Sequence, residues 1–197
     1  EQTQLPTGLQ VGLGVRVAAS SRNFSQGALT GTGNNLDVAI KGSGFFQIQL
    51  PDGTTGYTRD GAFQVDAAGQ IVTNAGYALQ PGLTVPANAT AININADGIV
   101  SATIPGQVLP QQIGQIQLAN FVNPAGLESR GGNLFVETAA SGTANAGAPN
   151  SNGLGAVQQG FLEGSNVNVV EELVTMIATQ RAYELNSKAI QTSDQML

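Results

Sequence analysis

The aspartates and glutamates are the strongest candidates for catalytic residues in this sequence, because histidine and cysteine are both absent. Without them the chain cannot build a Ser-His-Asp triad, a Cys-His pair or a thiolate metal site. A pair of carboxylates could still hydrolyse a glycosidic bond. Four aspartates, however, precede a glycine within three residues, which is typical of turns: Asp52, Asp60, Asp66 and Asp97. We therefore predict no catalytic residue, no metal site and no cofactor.

Paired glycines are the second feature that could bind a ligand. Three G-x-G pieces occur, at Gly12/Gly14, Gly31/Gly33 and Gly42/Gly44. None of them extends to G-x-G-x-x-G and none opens a predicted helix, so dinucleotide binding is not expected. Arg59 and Asp60, in the segment YTRDG, are interpreted as structural, either as a buried ion pair or as part of a turn.

The length, charge and composition of the chain limit the kinds of partner it could bind. The 197 residues suffice for one domain with an appendage or for two small domains, and the net charge of −6 argues against nucleic acid. The sequence contains no run of 18 apolar residues, which is about the length that a membrane-spanning helix needs. Only 10% of the residues are charged, against about 25% in typical domains. Such a surface suits packing against other copies, although a compositional bias of the lineage explains it equally well.

Short alternating apolar runs separated by turn residues dominate residues 35–164, which indicates antiparallel β-strands. Turn signals such as Asp-Gly and Ala-Gly recur every seven or eight residues in 35–80, where we predict a meander. Phenylalanines are the expected core: Phe45, Phe46, Phe63, Phe121 and Phe135. The predicted strands are Asp37–Ile40, Phe45–Leu50, Tyr57–Arg59, Phe63–Val65, Ile71–Thr73, Ala91–Ile94, Ile99–Ser101, Gly114–Phe121, Leu134–Val136 and Gln158–Gly164.

Two segments differ from this strand pattern, one before the β region and one within it. Residues 1–34 are predicted to form a connecting arm with a first strand, since Leu9–Val17 alternates apolar and polar residues. The low-complexity stretch 138–155 is interpreted as an exposed loop, with a flexible linker as the alternative.

Residues 168–197 contain no glycine or proline and carry helical spacing, so one long C-terminal helix is predicted. Asn168 is the expected N-cap, with Glu171 and Glu172 in the first turn, where the helix dipole favours acids. The fold class is therefore mainly β, with an antiparallel domain of short strands and a single C-terminal helix. The predicted organisation is 1–34 arm, 35–164 β-rich outer domain and 165–197 assembly helix.

Apolar residues occupy more than one side of this helix. One stripe follows the 4-3 spacing of a coiled coil, and a second, broader stripe lies beside it. A helix with two apolar stripes needs neighbours on several sides, so it is interpreted as half of an assembly device. The alternative is an amphipathic helix docked on its own domain. The predicted helix-packing residues are Val169, Val170, Leu173, Met176, Ile177, Tyr183, Leu185 and Ile190.

Two sets of motifs resemble the axial proteins of the bacterial flagellum, which form its rod and hook. The first is NLDVAIKGSGFF at 35–46 with YTRDGAF at 57–63, and the second is SNVNVVEELV at 165–174 with QRAYE and NSKA behind it. Further segments, GLES at 126–129, NLFVET at 133–138 and SDQML at 193–197, resemble the distal-rod members. The resemblance spans nearly the whole chain.

The resemblance implies a structural protein that is not an enzyme. Members of this family carry a helix at each end, and the helices pack in a tube around an export channel with the β domain outside. The N-terminal helix is absent from this sequence, which is therefore predicted to be a fragment. The implied function is a subunit of the distal rod, which transmits torque from motor to hook.

The implied partners are copies of the same chain in a helical tube, other rod proteins, hook proteins and the P and L ring proteins around the rod. Neither nucleic acid nor direct membrane insertion is expected. Export through the flagellar type III apparatus would deliver the chain to the basal body. The alternatives are a hook or proximal rod protein of the same family, a carboxylate-based glycan hydrolase, and a β-rich adhesin or fibre module.

Overall fold

In a computed structural model of the protein, residues 22–195 are described, and they form short strands followed by one long helix. The alternating run Leu9–Val17 lies outside the described residues. The strands are β1 (Leu29–Gly31), β2 (Val38–Lys41), β3 (Phe45–Gln49), β4 (Thr55–Thr58), β5 (Phe63–Val65), β6 (Ile71–Thr73), β7 (Ala78–Leu79), β8 (Ala91–Ile94), β9 (Ile99–Thr103), β10 (Gln111–Gln115), β11 (Leu118–Asn120), β12 (Glu128–Gly131), β13 (Leu134–Val136), β14 (Asn145–Gly147), β15 (Ala156–Gln159) and β16 (Phe161–Glu163). A single 3-10 turn (Pro124–Gly126) lies between β11 and β12, and the long helix is α1 (Val169–Gln195).

Every strand pair in the described residues is antiparallel. The main sheet has the order β12-β13-β4-β3-β7-β6-β5, and β11 joins it by pairing with both β3 and β14. A second sheet contains β10, β9 and β8. Two further pairs, β1 with β16 and β2 with β15, bring early strands against the last ones. The mainly β fold class with one C-terminal helix is confirmed.

Most predicted strands appear close to their expected positions, but four expectations were wrong. The predicted strand Gln158–Gly164 is two strands, β15 and β16, because Gly160 adopts a positive φ of 77° between them and they pair with β2 and β1 respectively. The segment Gly114–Phe121 is two strands, because the chain leaves the β8–β10 sheet after Gln115 and enters the main sheet at Leu118. The meander is interrupted between β4 and β5: β4 pairs with β3 and β13, and the β5–β6–β7 meander joins the sheet through the pairing of β7 with β3. The loop predicted at 138–155 contains β14, whose pairing with β11 uses the backbone and needs no apolar pattern.

The core consists of two clusters on either side of β3. Phe46 packs edge-to-face against Phe63 in the larger cluster, with ring centroids 5.1 Å apart. Phe45 lies in the smaller cluster with Phe121, at a centroid distance of 5.9 Å. The alternation of a β-strand explains this division, because adjacent side chains point to opposite faces. Of the five predicted core phenylalanines, four are buried and Phe135 is half-buried.

Candidate subunit interface

Three of the four aspartates that could have supplied chemistry cap turns with their side chains. Asp52, Asp60 and Asp66 each accept a backbone N–H from two residues further on, at 2.9, 3.1 and 2.9 Å. Hydrogen bonds from the hydroxyl and backbone N–H of Thr54 lower the pKa of Asp52. At Asp97 the turn is capped differently, since Asn95 Oδ1 accepts the Asp97 N–H at 3.1 Å. Turn chemistry therefore accounts for this acidic set.

One acid is buried without having been singled out from the sequence. Asp37 is 8% exposed and accepts hydrogen bonds from Thr32 Oγ1 at 2.6 Å and Asn34 Nδ2 at 3.0 Å. Its role is structural, because both partners belong to the turn that precedes β2. Among residues 22–195, no three acidic side chains gather into a group that could hold a metal ion.

The helix α1 begins where the sequence predicted. The Asn168 side chain accepts the N–H of Val170 at 3.2 Å, and the Asn168 carbonyl oxygen accepts the N–H of Glu172 at 3.1 Å. These bonds satisfy donors that a helix start leaves unpaired. The 27 residues of α1 give it a length of about 40 Å.

Exposure is the distinctive property of α1. Apart from Ser187, which is half-exposed, every helix residue with a described side chain is exposed. The alternative of a helix docked on its own domain is therefore wrong for the isolated chain. Its apolar residues are spread around the helix instead of gathering on one face. The eight predicted packing residues are all exposed, from 49% at Ile177 to 77% at Tyr183.

Such a surface is unusual for a protein on its own. Large apolar side chains in contiguous exposed patches mark sites of association with another protein. No described helix is long and apolar enough to cross a bilayer. The helix therefore presents a candidate interface about 40 Å long, which no other element among residues 22–195 covers.

The base of the helix is held by a network that the sequence did not predict. Arg59 forms an ion pair with Glu163, the last residue of β16, with NH2 2.8 Å from Oε2. The two side chains are 17% and 10% exposed. Of the two structural roles considered for Arg59 and Asp60, the turn is confirmed for Asp60, whereas the ion pair is partly buried and joins Arg59 to Glu163 instead of to Asp60. Arg59 and Glu163 are 104 residues apart, so the sequence gives no indication that they pair.

Two family models match the chain. Residues 39–102 match the flagellar hook protein FlgE/F/G D1 domain, and residues 158–197 match the C-terminal region of the flagellar basal body rod FlgEFG proteins. The first match covers the β-strands from β2 to β9, and the second covers β16 and the exposed helix. Together with the β fold and the exposed helix, these matches point to the structural proteins of the flagellar axis.

Comparison with individual proteins shows which family within this class the chain resembles. The chain is 58% identical over 99% of its length to the flagellar basal-body rod protein FlgG of Buchnera aphidicola subsp. Schizaphis graminum, of which it covers 75%. It is 52% identical over 98% of its length to the FlgG of Caulobacter vibrioides, covering 74% of that protein. A flagellar hook-basal body complex protein, FlhP of Bacillus subtilis, is 35% identical over 98% of the chain and covered to 73%. The chain belongs to the FlgG family of flagellar basal-body rod proteins and is a structural component of the basal body.

Proposed function

We propose that the chain assembles with copies of itself into the rigid tube of the distal rod, which carries torque from the motor to the hook. In this tube α1 packs against helices of other copies, and the β domain lies outside. The observation that carries the proposal is the exposure of α1 on all its sides. Such a helix has its packing partners elsewhere.

The packing residues of this interface are the eight apolar positions predicted from the sequence. Burying one exposed Leu, Ile, Val or Met side chain contributes about 1.5–3 kcal/mol, so several per subunit favour association. Tyr183 adds an aromatic ring with a hydroxyl that can stay hydrated or find a partner. The full list is Val169, Val170, Leu173, Met176, Ile177, Tyr183, Leu185 and Ile190, of which none is buried in the isolated chain.

The proposed division of labour follows the chain. Residues 1–34 form a connecting arm, 35–164 the outer β domain, and 165–197 the assembly helix. The partners are other copies, the remaining rod proteins, hook proteins and the P and L ring proteins, and export uses the flagellar type III route. The protein acts mechanically and not as an enzyme, because rigidity comes from packed helices and interlocked β domains.

A hook or hook-associated role is the second candidate. The match to a domain description that includes hook protein and the 35% identity to FlhP favour it. The identities of 58% and 52% to relatives named FlgG favour the rod. The rod is therefore the first choice.

The test compares two variants of the full-length protein, each carrying one new carboxylate on α1. Leu173→Asp places a charge in the predicted packing stripe, whereas Asn186→Asp places one at an exposed helix position outside the packing set. We expect tubes or large oligomers by sedimentation and electron microscopy for the Asn186 variant, and monomers for the Leu173 variant. Circular dichroism should show the same strand content in both.

Tubes of normal length from the Leu173→Asp protein would overturn the proposal. So would a full-length wild-type protein that stays monomeric with unchanged helix content at all concentrations. The second outcome would bring the adhesin or fibre-module interpretation forward, because α1 would then have no role in assembly.

A further inference from the structure

The chain enters and leaves the β domain at the same place. Residues 22–28, here called the entry segment, run beside residues 164–168, here called the neck, which connects β16 to α1. Asn166 Nδ2 donates to the carbonyl oxygens of Asn23 at 3.1 Å and Ser25 at 2.9 Å. The Gly164 N–H donates to the Ala28 carbonyl oxygen at 2.8 Å. The neck is therefore hydrogen-bonded to the entry segment at Gly164 and at Asn166.

Arg59 fastens the last strand to the body of the β domain. Its Nε lies 2.9 Å from Glu163 Oε2, in addition to the contact made by NH2. NH1 donates to the Gly44 carbonyl oxygen and NH2 to that of Gly42, both at 3.1 Å. The guanidinium carbon lies 6.0 Å from the centre of the Phe45 ring. All three guanidinium nitrogens are therefore engaged, in the fork geometry that lysine cannot reproduce.

Glu163 links Arg59 to the entry segment. Its second oxygen, Oε1, accepts the N–H of Gly27 at 2.9 Å. A Cβ atom at Gly27 would lie 1.9 Å from the Gly164 carbonyl oxygen, so only glycine allows the entry segment to lie this close to the neck. Both carboxylate oxygens are in use, which an amide with its single acceptor could not match.

The hydrogen bonds of Arg59, Glu163 and Asn166 lie close to the start of α1, so they can affect the direction of the helix. The helix begins at Val169, only three residues after Asn166, and its residues are exposed along its length. Because α1 is not packed against the β domain, its direction depends on where the neck is held. Only Val167 and Asn168 lie between Asn166 and the start of the helix.

We propose that Arg59, Glu163, Gly27 and Asn166 form a neck clamp that sets the direction in which α1 leaves the β domain. Arg59 and Glu163 are positioning residues, because they act on α1 through the neck. The clamp couples rotation of the outer domain to rotation of the helix. This inference rests on the proposed function, because the direction of α1 matters to a rod only if α1 packs in its tube.

The test measures helix direction in dilute, unassembled protein. Since the chain contains no cysteine, two introduced cysteines carry spin labels without background. Gln49→Cys marks an exposed position on β3 and Gln180→Cys an exposed position on α1. Electron–electron double resonance then gives the distribution of distances between the two labels. In the otherwise wild-type chain we expect a single narrow distribution.

Two clamp variants are compared with one matched control in this labelled background. Arg59→Ala and Glu163→Gln should each broaden the distribution at least about twofold. Arg130→Ala should leave it unchanged, because Arg130 makes an exposed ion pair with Glu128 at 3.7 Å. Thermal unfolding of each variant shows that the β domain is folded during the measurement.

Further outcomes separate positioning from simple stabilisation. A double Arg59→Glu, Glu163→Arg variant should stay broad, since its new carboxylate would face the carbonyl oxygens of Gly42 and Gly44. Gly27→Ala should broaden the distribution from the other side of the clamp, and it serves as the test if Arg59→Ala fails to fold. A narrow distribution in a folded clamp variant, or a broad one in the wild type, would overturn the proposal. Neither result bears on tube formation, which the Leu173→Asp comparison tests separately.

Discussion

Gly61 lies so close to Val38 that a Cβ atom at Gly61 would stand 1.6 Å from the Val38 carbonyl oxygen. In the same place the Val38 N–H donates to the Gly61 carbonyl oxygen at 3.0 Å. The two backbones therefore meet where β2 begins and where the turn after Arg59 ends. This contact explains why the segment YTRDG ends in glycine, and it fixes Arg59 relative to the strand beside it.

Replacing this glycine should therefore destabilise the β domain. We expect Gly61→Ala to lower the free energy of unfolding by about 1–3 kcal/mol, since the added methyl group can be accommodated only by moving backbone. Urea denaturation measures the change. The matched control is Gly82→Ala, where nothing lies within 4 Å of the added Cβ. An equal effect of the two substitutions would show that the close approach at Gly61 costs nothing to relieve.

The Tyr57 hydroxyl should make stability fall at alkaline pH. Burial, and to a lesser degree the charge of Glu137, raises the pKa of Tyr57 above its usual value near 10. The unfolded chain therefore releases this proton first, so the contribution of Tyr57 is complete below pH of about 10 and is lost as the pH rises further. Denaturation midpoints across this range should decline less in Tyr57→Phe than in the wild type. Parallel curves would contradict the prediction.

Removing the helix cap should shorten α1 from its first turn. Asn168→Ala leaves the Val170 N–H without its side-chain acceptor, at a cost of about 1 kcal/mol. Circular dichroism should show less helix. Asn186→Ala, the same substitution inside the helix, should leave helix content equal or higher because alanine has the better helix propensity. The prediction fails if both variants change helix content in the same direction.

Local signals carried the parts of the fold that the sequence predicted. The Asn168 cap, the aspartate turns and the strand Phe45–Gln49 each depend on residues within a few positions of one another. Their residue types therefore indicate their conformation directly. The same holds for the exposed apolar stripes of α1, whose spacing is visible without any tertiary information.

Long-range contacts account for what was missed. Arg59 and Glu163 are 104 residues apart, and nothing near either of them indicates the other. β14 lies in a low-complexity stretch and is held by backbone pairing with β11, so its side chains give no strand pattern. Asp37 is the exception, because its partners Thr32 and Asn34 are close in the sequence; a hydropathy pattern does not show that their hydrogen bonds allow an aspartate to be buried.

The pairing of β1 with β16 also has a kinetic meaning. Leu29 lies opposite Glu163, and the contact of Gly27 with Glu163 spans 136 residues. Contacts that join distant parts of a chain make folding slow, because the entropy of loop closure is lost before the contact can form. The β domain therefore cannot close until residues 161–163 are available. In a chain that emerges with its N-terminus first, folding of the β domain is complete only after the last strand, β16, has emerged.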